Sequence, residues 1–229
     1  VNKSRIYDDE IGDLANTFEN MAQEIQKSEK LKDEFISSVS HELRTPLTSI
    51  KGWSETLGLD NISKEELSMG LGIINDETER LIKLVEELLD FSRMSSNRMK
   101  LNIAEVNIEN LVSSVINQLR SMAIKKNIRL SFEFLNQDMT IIYGDKDRLR
   151  QVLINLVQNS LKFTPEEGVI SVKVDQTSNE TSICVADNGI GIDEKNIANV
   201  SKKFFQEDFH KSGSGLGLAI SEEIVKLHG

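Results

Sequence analysis

"SVSHELRTPL", residues 38–47, lies inside a long run of helical periodicity and carries one of the three histidines and one of the two prolines of the chain. On a helical wheel at about 100° per residue, with Val39 as zero, Leu43, Pro46, Ile50 and Trp53 all fall within about 40° of it. His41 falls at about 200°, on the opposite face, with Thr45 about 40° from it. The apolar stripe has to be covered, so the spacing predicts a helix that turns His41 and Thr45 to solvent and leaves Glu42 on the flank. Pro46 has no N–H and frees the carbonyl of Glu42, so a bend is expected just past the histidine, at a cost of about 3 kcal/mol. An exposed imidazole is a competent nucleophile near neutral pH, and the adjacent Glu42 carboxylate could take its ring proton or hold its tautomer. Most exposed helical histidines are plain surface, so position alone does not assign a role.

Working outward, apolar residues recur at Ile11, Leu14, Phe18, Met21, Ile25, Leu31 and Phe35 before the stretch, and reach Leu57 after it. Steps of three and four dominate, which is helix periodicity with a coiled-coil character. "GLDNIS" (58–63) interrupts it. Ser63 with Glu66 fits a capping box, and Ile62 with Leu67 fits a hydrophobic staple. A second helix follows, with Leu67, Leu71, Ile74, Thr78, Leu81, Val85 and Leu88 in heptad register. Two long helices joined by a short turn form an antiparallel hairpin. One partner helix cannot cover either stripe, so two copies are expected to close a four-helix bundle.

Beyond residue 100 the pattern changes. "IRLSFEFL" (128–135), "VISVKVDQ" (169–176) and "TSICVAD" (181–187) alternate as half-buried strands, the last two as a hairpin. Helical stretches are expected near 109–125, 145–163 and 215–228. Interleaved helices and strands predict an α/β sandwich, with helices on one face of a mixed sheet.

The chain has 229 residues and a formal net charge of −10, so it is a poor candidate for binding nucleic acid. Its single cysteine, Cys184, forms no internal disulfide, which fits a reducing compartment. No apolar run approaches the roughly 20 residues that span a bilayer, so the chain reads as cytosolic, with an anchor upstream left open.

Five of the thirteen glycines lie between 189 and 217, in "DNGIGI" (187–192) and "GSGLGLAI" (213–220). Such turns let backbone approach a ligand, and a helix opened by Gly213, Gly215 and Gly217 offers free N–H groups to phosphate. "NLVQNSLKFT" (155–164) places Asn155, Asn159 and Lys162 on one face of a helix that is otherwise apolar. If buried, those amides need a polar partner, and magnesium with a triphosphate would supply one; the other reading is that they face water. Asp187 ends a strand before a glycine turn, where it could accept from an adenine amino group or cap the turn.

Together these segments resemble the cytoplasmic core of a sensor histidine kinase of two-component signalling, over nearly the whole chain. "SVSHELRTPL" resembles the phosphoacceptor box, "NLVQNSLK" the N box, "DNGIGI" and "GSGLGLAI" the two glycine boxes, and "KKFF" (202–205) a degenerate F box. The order and spacing of the set are more specific than any one motif. "DDEIGDLANTFENMAQEI" (8–25) resembles the last helix of a HAMP relay module. The resemblance implies three parts: residues 1–30 as the end of HAMP and a linker, 31–98 as a dimerisation and histidine phosphotransfer domain, and 99–229 as a catalytic ATP-binding domain of the Bergerat (GHKL) type.

It also implies roles. His41 takes the γ-phosphoryl group of ATP, and Glu42 is the acid–base helper. Asn159 ligates Mg, with Asn155 beside it and Lys162 on phosphate. Asp187 reads adenine, Gly189 and Gly191 shape the pocket, and Gly213, Gly215 and Gly217 hinge the lid and cradle phosphates. Thr45 positions water for dephosphorylating a response regulator, the phosphotransfer partner. The implied assembly is a homodimer on the cytoplasmic side of a membrane, held by segments upstream.

Three departures stand out. Phe163 replaces a common Tyr. Phe204, Phe205 and Gln206 stand where Phe-Tyr-Arg is frequent, which leaves Lys202, Lys203 or Lys211 as the basic lid residue. The family continues beyond "KLHG" into another strand hairpin, so a sheet lacking an edge is expected. A dimeric relay that binds nucleotide without transferring phosphate is the alternative function, and another Bergerat-type ATPase a weaker one.

Overall fold

The computed structural model describes residues 10–59, 62–96, 98–135, 141–177, 180–201, 205 and 215–229, with backbone alone at 10, 27, 28, 30–32, 34 and 35. Its contacts gather into two units that divide between Leu81 and Ile82, inside the second helix.

The first unit is the helical hairpin. Helix α1 runs from Glu10 to Leu57, unbroken through Pro46, and α2 from Lys64 to Ser95. The expected capping box starts α2. Ser63 Oγ accepts from the Glu66 N–H at 3.1 Å, and Glu66 Oε2 accepts from the Ser63 N–H at 2.9 Å and its hydroxyl at 2.8 Å. Those donors, the backbone one first, hold the Glu66 carboxyl below its ordinary range. The helices meet at Gly70, where a Cβ would lie 2.7 Å from Trp53 Cε3 and 2.9 Å from Leu57 Cδ2. Only a residue without a side chain allows that approach.

The wheel reading of α1 holds. Pro46 is buried and Val39, Leu43, Ile50 and Trp53 are half-buried, while His41 and Thr45 are exposed. Other members of the expected stripes, including Phe18, Leu67 and Leu71, stay open, as does Leu47. The side chains of Leu31 and Phe35, which belong to the expected stripe, lie outside the described set.

The second unit starts with the end of α2 and continues through β1 (Ala104–Asn107), α3 (Ile108–Lys125), β2 (Arg129–Phe134), β3 (Ile141–Gly144), α4 (Lys146–Phe163), β4 (Val169–Gln176), β5 (Thr181–Asp187), α5 (Glu194–Ile197) and α6 (Gly217–His228). Three strands form one sheet in the order β2-β4-β5, with β2 parallel and β5 antiparallel to β4. This is the expected mixed sheet with its hairpin. Strands β1 and β3 pair separately and antiparallel. They and α5 escaped the sequence reading because each is four residues long, too short to display a period.

Apolar faces decide the layers. Leu111, Val115, Ile116 and Leu119 of α3 and Leu153, Val157 and Leu161 of α4 pack on Ile170, Val172 and Val174 of β4. A second cluster joins the end of α2 and the following segment (Leu88, Phe91, Met94, Met99) to α4 (Val152, Leu156), to Leu216 at the cap of α6, and to Ile220 and Ile224 within it. At its edge the buried Asp90 of α2 accepts from Arg148 Nη1 at 2.6 Å and Gln151 Nε2 at 2.8 Å. Helix α4 is thus sandwiched between two cores, which holds it firmly for what its polar face carries.

Candidate active site

The face that carries His41 belongs to the hairpin. His41 is exposed, and among the described residues its ring makes no hydrogen bond. Thr45, one turn on, returns its hydroxyl to the His41 carbonyl at 3.3 Å. Glu42 is half-buried and its Oε2 accepts from Arg80 Nη2 of α2 at 3.2 Å; Arg80 also lies 3.7 Å from Glu77. The carboxylate next to the histidine is therefore steadied from the second helix, a contact the sequence alone did not reveal. The signal available was Arg80 itself, a long cation next to the apolar position Leu81 of the second helix.

The other predicted residues belong to the second unit. Asp145 caps α4, its Oδ1 accepting from Asp147 N and Arg148 N at 3.1 Å each and its Oδ2 from Asn102 N at 2.8 Å. Burial alone would raise this carboxyl. The N–H groups of Asn102, Arg148 and Asp147, with the charge of Arg148, outweigh burial and hold it below its ordinary range. At the far end of α6, His228 Nε2 accepts from the Asp145 N–H at 2.9 Å, and in that tautomer Nδ1 donates to the Ile224 carbonyl at 2.7 Å.

Along α4, Asn155 and Asn159 are half-buried and Lys162 is exposed, its Nζ 4.8 Å from the centre of the Phe163 ring. Asn155 Nδ2 donates to Ser221 Oγ of α6 at 3.0 Å. The Asn159 side chain makes no hydrogen bond among the described residues. Gly217, the first residue of α6, sits against Asn155, where a Cβ would come within 2.6 Å of both amide heteroatoms. Close packing of α6 on the N-box amide is thus one reason for a glycine here. Gly215 has φ +66, and Gly213 lies outside the described residues, as do Lys202, Lys203, Phe204, Gln206 and Lys211.

Asp187 closes β5. Its Oδ1 accepts from the Gly189 N–H at 2.9 Å, and its Oδ2 from Ser160 Oγ of α4 at 2.7 Å. A Cβ on Gly189 would meet the Phe163 carbonyl at 2.7 Å. That carbonyl also accepts from Ile190 N at 3.3 Å, so the turn is laced to the end of α4 by backbone. Gly191 has φ +71 and open space where a Cβ would be. Asn188 Oδ1 accepts from Val169 N at 2.7 Å, tying the turn to β4.

The structure therefore brings Asp187 and Gly189 to the end of α4 and sets Asn155 against Gly217. Sequence reading missed Ser160, Asn188 and Ser221. Ser160 did leave a signal, because it falls in the Leu153, Val157, Leu161 stripe, where a hydroxyl needs a buried partner.

Residues 31–97 match the model of the His Kinase A (phospho-acceptor) domain, and residues 144–229 that of the histidine kinase-, DNA gyrase B- and HSP90-like ATPase. The chain belongs to the sensor histidine kinase family. This kinase core is 34% identical to the sensor histidine kinase YclK of Bacillus subtilis, over 97% of this chain and 49% of YclK. It is similar to full-length ShkA in complex with AMPPNP, with a TM-score of 0.63 and 30% identity over 87% of this chain and 41% of that one. It is also similar to histidine kinase ThkA in complex with the response regulator protein TrrA, with a TM-score of 0.61 and 28% identity over 86% of this chain and 57% of that one. The chain spans about half the length, or less, of the curated relatives it matches. The second domain of this histidine kinase core is an ATP-binding one.

Proposed function

We propose that this chain uses ATP to phosphorylate its own His41 and then donates the phosphoryl group to an aspartate of a response regulator. The observation that carries the reading is the exposed His41 ring, free of hydrogen bonds among the described residues, in the segment that matches the phospho-acceptor model. A ring nitrogen attacks the γ-phosphorus, the bond to the ADP oxygen breaks, and the ring N–H proton passes to a base. Glu42 takes that part in this reading, its carboxylate held by Arg80.

In the ATP-binding domain, Asp187 accepts from the adenine amino group, Gly189 and Gly191 let the base approach backbone, and Lys162 and the Gly213–Gly217 segment neutralise phosphate. Among the described residues no three His, Cys, Asp or Glu side chains gather to hold a metal. That suits magnesium, which keeps few protein ligands and shares phosphate oxygens, with the Asn159 amide oxygen as its ligand here and Asn155 alongside. When bound, magnesium supplies charge neutralisation on the triphosphate.

In this reading residues 31–98 dimerise and carry the histidine, 99–229 form the catalytic domain, and 1–30 relay a signal. The open apolar face of α1 and α2 supports a homodimer. Among the described residues no helix is long and apolar enough to cross a membrane, so the anchor we infer for the whole protein would lie outside them.

The test is labelling with γ-labelled ATP. The phosphoramidate expected on His41 is acid-labile and alkali-stable, because acid protonates the second ring nitrogen and makes imidazole a good leaving group. His41→Gln should show no label while still binding nucleotide. Label that survives acid, as on Ser38 or Ser40, would refute the assignment. Thr45→Ala should label normally and lose dephosphorylation of the regulator, since its hydroxyl shares the His41 face without being the acceptor. Loss of labelling instead would reverse the two roles.

A further inference from the structure

We propose that Ser160 is a positioning residue for base selection, setting the Asp187 carboxylate so that it accepts from the purine amino group; this rests on the adenine-reading role proposed for Asp187.

Ser160 is buried on α4, and its single hydroxyl proton goes to Asp187 Oδ2 at 2.7 Å. The other oxygen, Oδ1, accepts from Gly189 N at 2.9 Å. The Cβ–Cγ torsion of an aspartate is intrinsically soft. One hydrogen bond leaves it free to swing; two, on different oxygens and from different elements, fix both the position and the plane of the carboxylate. A carboxylate has about four acceptor sites, so about two stay open for a ligand. An ionised carboxylate can only accept. Adenine presents an amino group at the position where guanine presents a carbonyl oxygen, so a fixed acceptor there favours adenine and repels guanine. Ser160 lets that group be organised before the nucleotide arrives, which lowers the cost of binding.

The alternative is that Ser160 only fills space in the core. That role would affect every nucleotide alike. The positioning role affects only the share of binding that comes from the amino group. The full chain is therefore titrated with ATP and with purine riboside triphosphate, which lacks that group. Ser160→Ala should weaken ATP binding about three- to tenfold and change binding of the analogue less than about twofold, so the preference for ATP shrinks. Equal weakening of both nucleotides, or no change in either, would overturn the proposal. Asp187→Asn separates the two levels. If the parent prefers ATP and Asp187→Asn removes the preference but Ser160→Ala does not, only the Ser160 proposal fails. If the parent does not prefer ATP over the analogue, both fail. Should Ser160→Ala not fold, Ser160→Cys keeps a weak donor in a similar volume and should show an intermediate preference; an unchanged one would also overturn the proposal.

Discussion

Leu71 and Ile116 are both aliphatic residues on amphipathic helices, yet 54% of Leu71 is exposed and 1% of Ile116. The difference separates two ways of using apolar surface. In the α/β unit, α3 and α4 close over the sheet, and the aliphatic side chains between them are buried by neighbours within the chain. In the hairpin, α1 and α2 cover only the faces they turn to each other, and Phe18, Leu47, Leu67 and Leu71 stay open. Two helices have too little mutual surface to bury two stripes. The α/β unit encloses its main core with its own elements, and the hairpin leaves whole apolar faces open. Helix α2 belongs to both, with its first half facing α1 and its end, from Leu88 to Met94, built into the second core.

The comparison can be broken most directly in the core. Ile116→Ala should cost about 2–5 kcal/mol, read from urea unfolding of the α/β unit, because a closed core cannot collapse around the cavity. Leu71→Ala in the hairpin should leave that transition where it was. Equal shifts from the two substitutions would mean the hairpin is as closed as the α/β unit. A charge sharpens the contrast further. Leu71→Glu should shift the chain from dimer to monomer by light scattering at micromolar concentration while the α/β transition stays unchanged. A dimer that survives would place the partner surface elsewhere.

The smallest effect is electrostatic. Asp145 has a folded-state carboxyl held below the ordinary value of about 3.9, so the unfolded chain binds the proton more readily. The stability it contributes is fully present above about pH 4 and is lost as pH falls through its lower folded value. Asp145→Asn should therefore flatten the loss of α/β stability below about pH 4, relative to the parent. Glu66, in the hairpin, is shifted in the same direction but fully exposed, so Glu66→Gln should leave that acid limb nearly as it was.

Much of this molecule was readable before any coordinates. The capping box at Ser63 and Glu66 was legible because both partners lie within one turn. The outward face of His41 was legible because a helix has a fixed period. The β4–β5 hairpin was legible because each strand alternates over at least seven residues. Strands β1 and β3 were not, since four residues carry no period and their pairing is made across the chain. In the site, the positions Asn155 and Asp187 came from local pattern, but their partners Ser221 and Ser160 did not.

The sequence by itself determined the longer elements and which way each turns its apolar face, because those depend on neighbours three, four or two residues away. Only the tertiary structure decided that Glu42 meets Arg80, Asp187 meets Ser160 and Asn155 meets Ser221, pairs 38, 27 and 66 residues apart. A periodic pattern fixes direction around one axis. Which polar groups end within 3 Å of one another depends on how several axes pack, and that is set by the burial of the whole apolar set at once.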